Sequence, residues 1–318
     1  MSLDPQAAKF LELVAGAPAL DSVPAAVARE AAAETIPLTG PATPLAGVED
    51  SVIETAAGRV PVRAYRPSLA TGLPAVTYFH GGGWVIGNLD THDRVPRDLA
   101  AYSGAVVVAV DYRLAPESPF PAAYDDCLGV VRRLLTDGAG LGVDPARIAV
   151  SGDSAGGNLA AVAGQQLRGV GRGIAHQALI FPVTDAAGVG QTASYRQYGT
   201  GHFLTTRDMR YFVSSYAGGT DPADERISPL RARDLGGLPP ATIVTAECDP
   251  LRDEGEAYAD RLRRSGVDVT LRRFDGQVHP FILLGGLIDD ANEARRWVAA
   301  RLRAALFADP GQGSRGVG

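Results

Sequence analysis

The sequence predicts an α/β protein: a mostly parallel, doubly wound sheet with helices on both faces and a helical insertion late in the chain. Three observations carry that reading. Short β-branched or apolar runs alternate with helical patterns along most of the 318 residues. Several runs, "AVVVAV" (Ala105 to Val110) in particular, are apolar throughout, as strands covered on both faces require. One long stretch, Asp185 to Asp234, interrupts the alternation yet carries Phe203, Leu204, Tyr211, Phe212 and Tyr216. Its length and aromatic content predict a folded helical lid rather than a structureless loop.

The elements follow in order. Asp4-Pro5 is a helix cap with a first-turn proline, leading into Phe10, Leu11, Leu13 and Val14 at helical spacing. A second, alanine-rich helix is expected from Pro24 to Glu34, and Thr39 to Gly47 is a linker marked by Pro41 and Pro44. Strands are expected at Val60–Tyr65, Ala75–His80, Ala105–Asp111, Ile148–Ser151, Gln177–Phe181, Ala241–Ala246 and Val267–Phe274. Helices are expected at His92–Tyr102, Ala122–Leu135, Asn158–Arg168, Arg252–Arg264 and Asp289–Leu306. The tail Gly311–Gly318 has no core-forming residues and is expected to be mobile.

Composition excludes several classes. With 46% hydrophobic residues, 21% charged and a net charge of −6, the chain is an ordinary globular one without a basic surface for nucleic acid. The arginines near Arg261–Arg264 and Arg295–Arg296 lie in amphipathic patterns and are expected to be solvated faces. Cys127 and Cys248 have no metal-site spacing and are expected to be buried, reduced thiols of a cytoplasmic protein; no metal is expected. No signal peptide, membrane span or internal repeat is apparent.

The chemistry centres on "GDSAG", Gly152 to Gly156, between a strand and a helix. Ser154 could cap the helix, and the glycines could cradle a phosphate. The phosphate reading is weakened because neither the GxGxxG spacing nor a following Lys-Ser/Thr pair is present. The remaining reading is a nucleophile on a strained turn whose flanking glycines avoid clashes.

A serine needs a base, and the base must come from a loop at the carboxyl end of the sheet. His279, after the last strand, meets that requirement best. His176 begins a strand, His92 sits at a helix start where capping is role enough, and His202 lies in the lid. Glu247, Asp249, Asp253 and Glu254 compete as the acid. Asp249 is favoured because Pro250 holds it out of the next helix, whereas Asp253 and Glu254 can serve that helix's N-terminal dipole. Three glycines follow the strand ending at His80, and Gly82, Gly83 and Ala155 are the predicted N–H donors to an oxyanion. The structural alternative there is a plain flexible turn.

Together "HGGGW", "DYRLAPE", "FPAAYDD", "GDSAGGN", "DPLRDEG" and "VHPF" resemble the bacterial hormone-sensitive-lipase-like esterases of the α/β-hydrolase fold. The motifs run in family order from Tyr78 to Phe281, about two thirds of the chain. The resemblance implies a serine carboxylesterase for short- to medium-chain acyl esters, with Ser154, Asp249 and His279 as triad and no cofactor. It implies a core of residues 46–184 and 235–308 beneath a cap of residues 1–45 and 185–234, with 309–318 as tail. Pro280 departs from the glycine more usual after the histidine. Trp84, Phe203 and Leu204 are expected to wall the substrate pocket, although ordinary packing accounts equally for each. Asp111, Arg113 and Glu117 are expected to form a buried polar network. An amidase, deacetylase or lactonase with the same triad remains the alternative, and a non-catalytic ligand-binding protein is disfavoured by His279. A homodimer through the edge strand Val267–Phe274 is an expectation from fold position alone.

Overall fold

A computed structural model describes residues 3–308; the tail expected to be mobile lies outside the described residues. The strands are β1 (Gly47–Thr55), β2 (Gly58–Arg66), β3 (Leu73–Phe79), β4 (Val106–Val110), β5 (Val143–Asp153), β6 (His176–Ile180), β7 (Ala241–Cys248) and β8 (Val269–Val278). They form one sheet in the order β1-β2-β4-β3-β5-β6-β7-β8. β2 pairs antiparallel with β1 and β4, and every other pairing is parallel.

The helices α3 (Arg94–Ser103) and α9 (Asp289–Leu306) cover one face, and α4 (Ala122–Asp137), α5 (Ala155–Gln166) and α8 (Arg252–Arg264) cover the other. Side chains alternate across a strand, so Val106, Val108 and Val110 enter one core while Val107 and Ala109 enter the other. That is why β4 is apolar throughout. Arg295 of α9, expected on a solvated face, is fully buried instead, because its guanidinium donates to the buried Asp98 at 3.1 Å and to the Ile282 carbonyl at 2.7 Å.

β1 is not among the strands the sequence predicts. This strand pairs only with β2, and Ile53 alone of its residues is buried, so it shows no sustained apolar pattern. β8 runs past the expected Phe274: after a register shift Cys248 pairs with Val278, which delivers the chain to His279. α5 begins at Ala155, three residues before the expected Asn158, leaving a single residue to turn the chain.

The segment between β6 and β7 is folded, with α6 (Ala193–Tyr198) and α7 (Thr206–Ala217). Thr205 and Asp208 start α7 with a capping box. At the N-terminus, the Asp4 carboxylate accepts from the Gln6 and Ala7 N–H groups and starts α1 (Pro5–Leu13), followed by α2 (Ala25–Ala33). α1 meets the inserted segment through Phe10 and Phe203, whose ring centroids are 5.1 Å apart. Asp111, Arg113 and Glu117 do not bond to one another: Arg113 pairs with Asp126, and the largely exposed Glu117 with Arg29. Among the described residues no helix is long and apolar enough to cross a membrane.

Candidate active site

With β5 ending at Asp153 and α5 starting at Ala155, Ser154 makes the turn alone, at φ 56° and ψ −117°. A side chain at positive φ costs about 1–3 kcal/mol and persists only where its surroundings impose it. Here the Ser154 N–H donates to the Ile180 carbonyl at 2.9 Å, and its carbonyl accepts from Asn158 and Val183 at 3.0 and 3.2 Å. The Asn158 side-chain amide donates to the Val183 and Ile227 carbonyls, both at 2.8 Å, binding the turn to the inserted segment. A Cβ on Gly152 would strike the Gly156 backbone, and one on Gly156 the Phe79 carbonyl, so the spaced glycines are a steric requirement. The Ser154 hydroxyl makes no capping bond to α5; the residue instead lines a cavity of about 900 Å³.

His279 lines the same cavity. Its Nδ1 donates to Asp249 Oδ2 at 2.8 Å, while Asp249 Oδ1 accepts from the Leu251 N–H at 2.9 Å. Asp249 is fully buried, and a carboxylate only accepts, so the proton sits on Nδ1 and Nε2 is left as the basic nitrogen. Ser154 Oγ and His279 Nε2 make no hydrogen bond with each other in this resting structure, a contact that typically tightens when substrate binds.

The competing acids are engaged elsewhere. Glu247 accepts from the Gly276 N–H, Asp253 from the Ser194 N–H, and Glu254 from the N–H groups of Thr184 and Asp185. Asp253 and Glu254 were expected to serve only the helix dipole; they in fact hold the backbone of the inserted segment. Burial pushes the Glu254 carboxyl up to about 8, against the two N–H bonds that work to lower it.

The other histidines also have other partners. His176 contacts the Thr242 hydroxyl at 2.9 Å, and burial lowers it to about 4. His202 bonds to the Thr200 carbonyl. His80 contacts the Gly81 carbonyl at 2.7 Å and stacks on Tyr112, and burial lowers it to about 3. His92 caps no helix, contrary to expectation: α3 starts at Arg94, and His92 Nε2 lies 3.5 Å from Asp153 Oδ2.

Gly82 and Gly83 line the cavity, and among the described residues neither N–H has a protein acceptor. Gly83 adopts φ 59°, and a Cβ there would run into the Phe212 ring. Ala155, fully buried, is the first residue of α5, whose opening N–H groups have no partner within the helix. Phe203 and Leu204 line the cavity together with Phe10, Leu20 and Val27 of the N-terminal segment. Trp84 does not: it is fully buried beneath the glycine loop, stacked on Tyr216 at 4.4 Å and 5°. Phe212 of α7, another of the aromatics noted in the insertion, also lines the cavity and packs over Gly83.

The chain is similar to known proteins in both sequence and fold. A family model described as the alpha/beta hydrolase fold matches residues 76–283. The ethyl acetate hydrolase of Pseudomonas putida is 39% identical over 322 residues, covering 96% of this chain and 100% of its own. Carboxylesterase NlhH of Mycobacterium tuberculosis is 43% identical over 255 residues, 78% of this chain and 79% of its own. Among solved structures, the hyperthermophilic esterase of the archaeon Pyrobaculum calidifontis matches with a TM-score of 0.90 at 38% identity, covering 97% of this chain and 100% of that one. An ester hydrolase from the Lake Arreo metagenome, solved with a bipyridine phosphonate derivative, matches with a TM-score of 0.91 at 40% identity, covering 96% and 100%.

Proposed function

The chain belongs to the α/β-hydrolase family, in its hormone-sensitive-lipase-like branch, and is a carboxylic ester hydrolase; from that premise we propose that Ser154, His279 and Asp249 hydrolyse the ester through an acyl-enzyme. The observation that carries this assignment is the buried Asp249–His279 pair, which leaves Nε2 basic in the cavity that also receives strained Ser154.

His279 takes the Ser154 proton as Oγ attacks the ester carbonyl carbon, and Asp249 stabilises the imidazolium so formed. The carbonyl π electrons move onto oxygen, which accepts from the N–H groups of Gly82, Gly83 and Ala155. When the tetrahedral species collapses, the ester C–O bond breaks and His279 protonates the departing alcohol. Water then attacks the acyl-serine with the same base, releasing the acid and restoring the Ser154 proton.

Residues 1–45 and 185–234 form a cap over the core, and the largely apolar wall they build suits a short- to medium-chain acyl ester. The buried free thiols Cys127 and Cys248 suit a cytoplasmic protein, and the open edge of β8 suits pairing of two copies, which sedimentation of the purified protein in the analytical ultracentrifuge would test.

The decisive experiment is hydrolysis of p-nitrophenyl esters of increasing chain length by wild type and Ser154→Ala at matched folding. The expected outcome is turnover that peaks at short or medium chains and falls by roughly 10⁴-fold or more in the variant. Full activity in the variant would refute the mechanism. A folded wild type that turns over matched amides but not esters would favour the amidase alternative.

A further inference from the structure

Taking Ser154 as the nucleophile, we propose that His92 is a positioning residue: with Asp153 it holds the Gly81–Gly83 loop in register with Ser154 and offsets a buried negative charge beside the developing oxyanion. Asp153 is the residue before the nucleophile and is 1% exposed. Its Oδ1 accepts from the Gly81 N–H at 3.1 Å and from the Tyr78 hydroxyl at 2.5 Å. A Cβ on Gly81 would collide with this carboxylate, so the loop and Asp153 are fitted to each other. The loop presenting Gly82 and Gly83 therefore hangs on the residue adjoining Ser154, which couples donor position to nucleophile position.

That attachment has an electrostatic cost. A carboxylate in a site shielded from water repels the negative charge that grows on the substrate oxygen. His92 is the group placed to counter it. Its Nε2 lies 3.5 Å from Asp153 Oδ2, its ring is buried, and it reaches the same cavity as Ser154. Its Nδ1 meets the Thr91 hydroxyl at 2.9 Å, and that hydroxyl is bonded in turn to the Asn88 backbone. Burial works to raise the Asp153 carboxyl, but His92 and the Tyr78 hydroxyl more than offset it and hold the carboxyl below its ordinary value.

His80 does a different job. Its Nδ1 meets the Gly81 carbonyl, so it secures the opposite side of the same peptide segment, and burial keeps it neutral. Both rings fit only because residue 87 is glycine, at φ 86°: a Cβ there would lie 2.9 Å from His80 Nδ1 and 3.2 Å from His92 Cε1.

The test compares His92→Gln with wild type in kcat, KM and affinity for an alkylboronic acid, which forms a tetrahedral anion on Ser154. In the variant kcat is expected to fall about 100-fold, as small misplacements of reacting groups do. KM is expected to stay within about threefold, since the lost interaction belongs to the transition state. Boronate affinity should fall in parallel with kcat, and imidazole added to His92→Ala should restore part of kcat. Unchanged kcat and boronate affinity in folded His92→Gln would overturn the proposal, as would a loss confined to KM or thermal stability. Should glutamine prevent folding, Thr91→Val keeps the ring, removes its Nδ1 partner and is judged by the same parallel loss. Ser154→Ala run alongside keeps the two questions apart: if it retains activity the esterase mechanism fails, whatever His92 does.

Discussion

Ser154 stands at φ 56°, a conformation glycine adopts freely, so the protein carries local strain at the residue proposed as its nucleophile. Ser154→Gly should therefore abolish hydrolysis while raising unfolding free energy by about 1 kcal/mol, the relieved strain less the added entropy of glycine. Urea denaturation checks this, and a loss of stability would contradict it. Asp249→Asn should leave the fold intact and lower kcat by about 10⁴-fold, because the amide no longer fixes the His279 tautomer. Gly83→Ala adds a methyl group at positive φ against Phe212. It should displace an oxyanion donor and lower kcat by roughly 10²–10³-fold in steady-state assays.

The start of α8 illustrates how one helix serves both the core and the segment above it. Asp249 just before it orients His279, while Asp253 and Glu254 on its first turn bind the backbone of the insertion. Glu254 gives this helix a pH signature. Between its ordinary value of 4.5 and its folded value of about 8, the unfolded chain has released the proton and the folded chain has kept it. Its contribution to stability is thus full below 4.5, declines as pH rises through that window and is flat above about 8. Glu254→Gln keeps the shape without the proton equilibrium, so its stability relative to wild type should grow across the window. Denaturant titrations at several pH values would show this, and a constant difference would contradict it. In the insertion, Thr205→Ala removes the capping box of α7 and should cost about 1 kcal/mol.

For the molecule as a whole, His80 and His176 set an opposing trend. Burial lowers them to about 3 and about 4 from 6.5, so below 6.5 the unfolded chain takes up protons that the folded one refuses. Their stabilisation is present above 6.5 and is lost as pH falls towards those folded values. Between 4.5 and 6.5 Glu254 counters part of that loss, so stability should fall with acid throughout this range, at a slope that the two histidines set and Glu254 reduces. Circular dichroism during acid titration measures it, and His176→Gln should soften the transition.

The strained turn at Ser154, the glycine loop, and the histidine and acid that pair after the last strands were legible in the sequence. Each depends on requirements a few residues long: glycine where a Cβ would clash, proline after an acid, apolar runs where both faces are covered. β1 was not legible, because an edge strand exposed on most of its length has no apolar pattern to betray it. Nor were the assignments of Trp84 to the core, His92 to Asp153, or Asp253 and Glu254 to the insertion. Those depend on partners distant along the chain, and a residue type states what it can bond to without stating what will be nearby. The sequence by itself determined the fold class and where the residues proposed to react lie along the chain. Only the tertiary structure decided which side chains wall the cavity, since α1 and the insertion meet there through packing at Phe10 and Phe203 that no local pattern encodes.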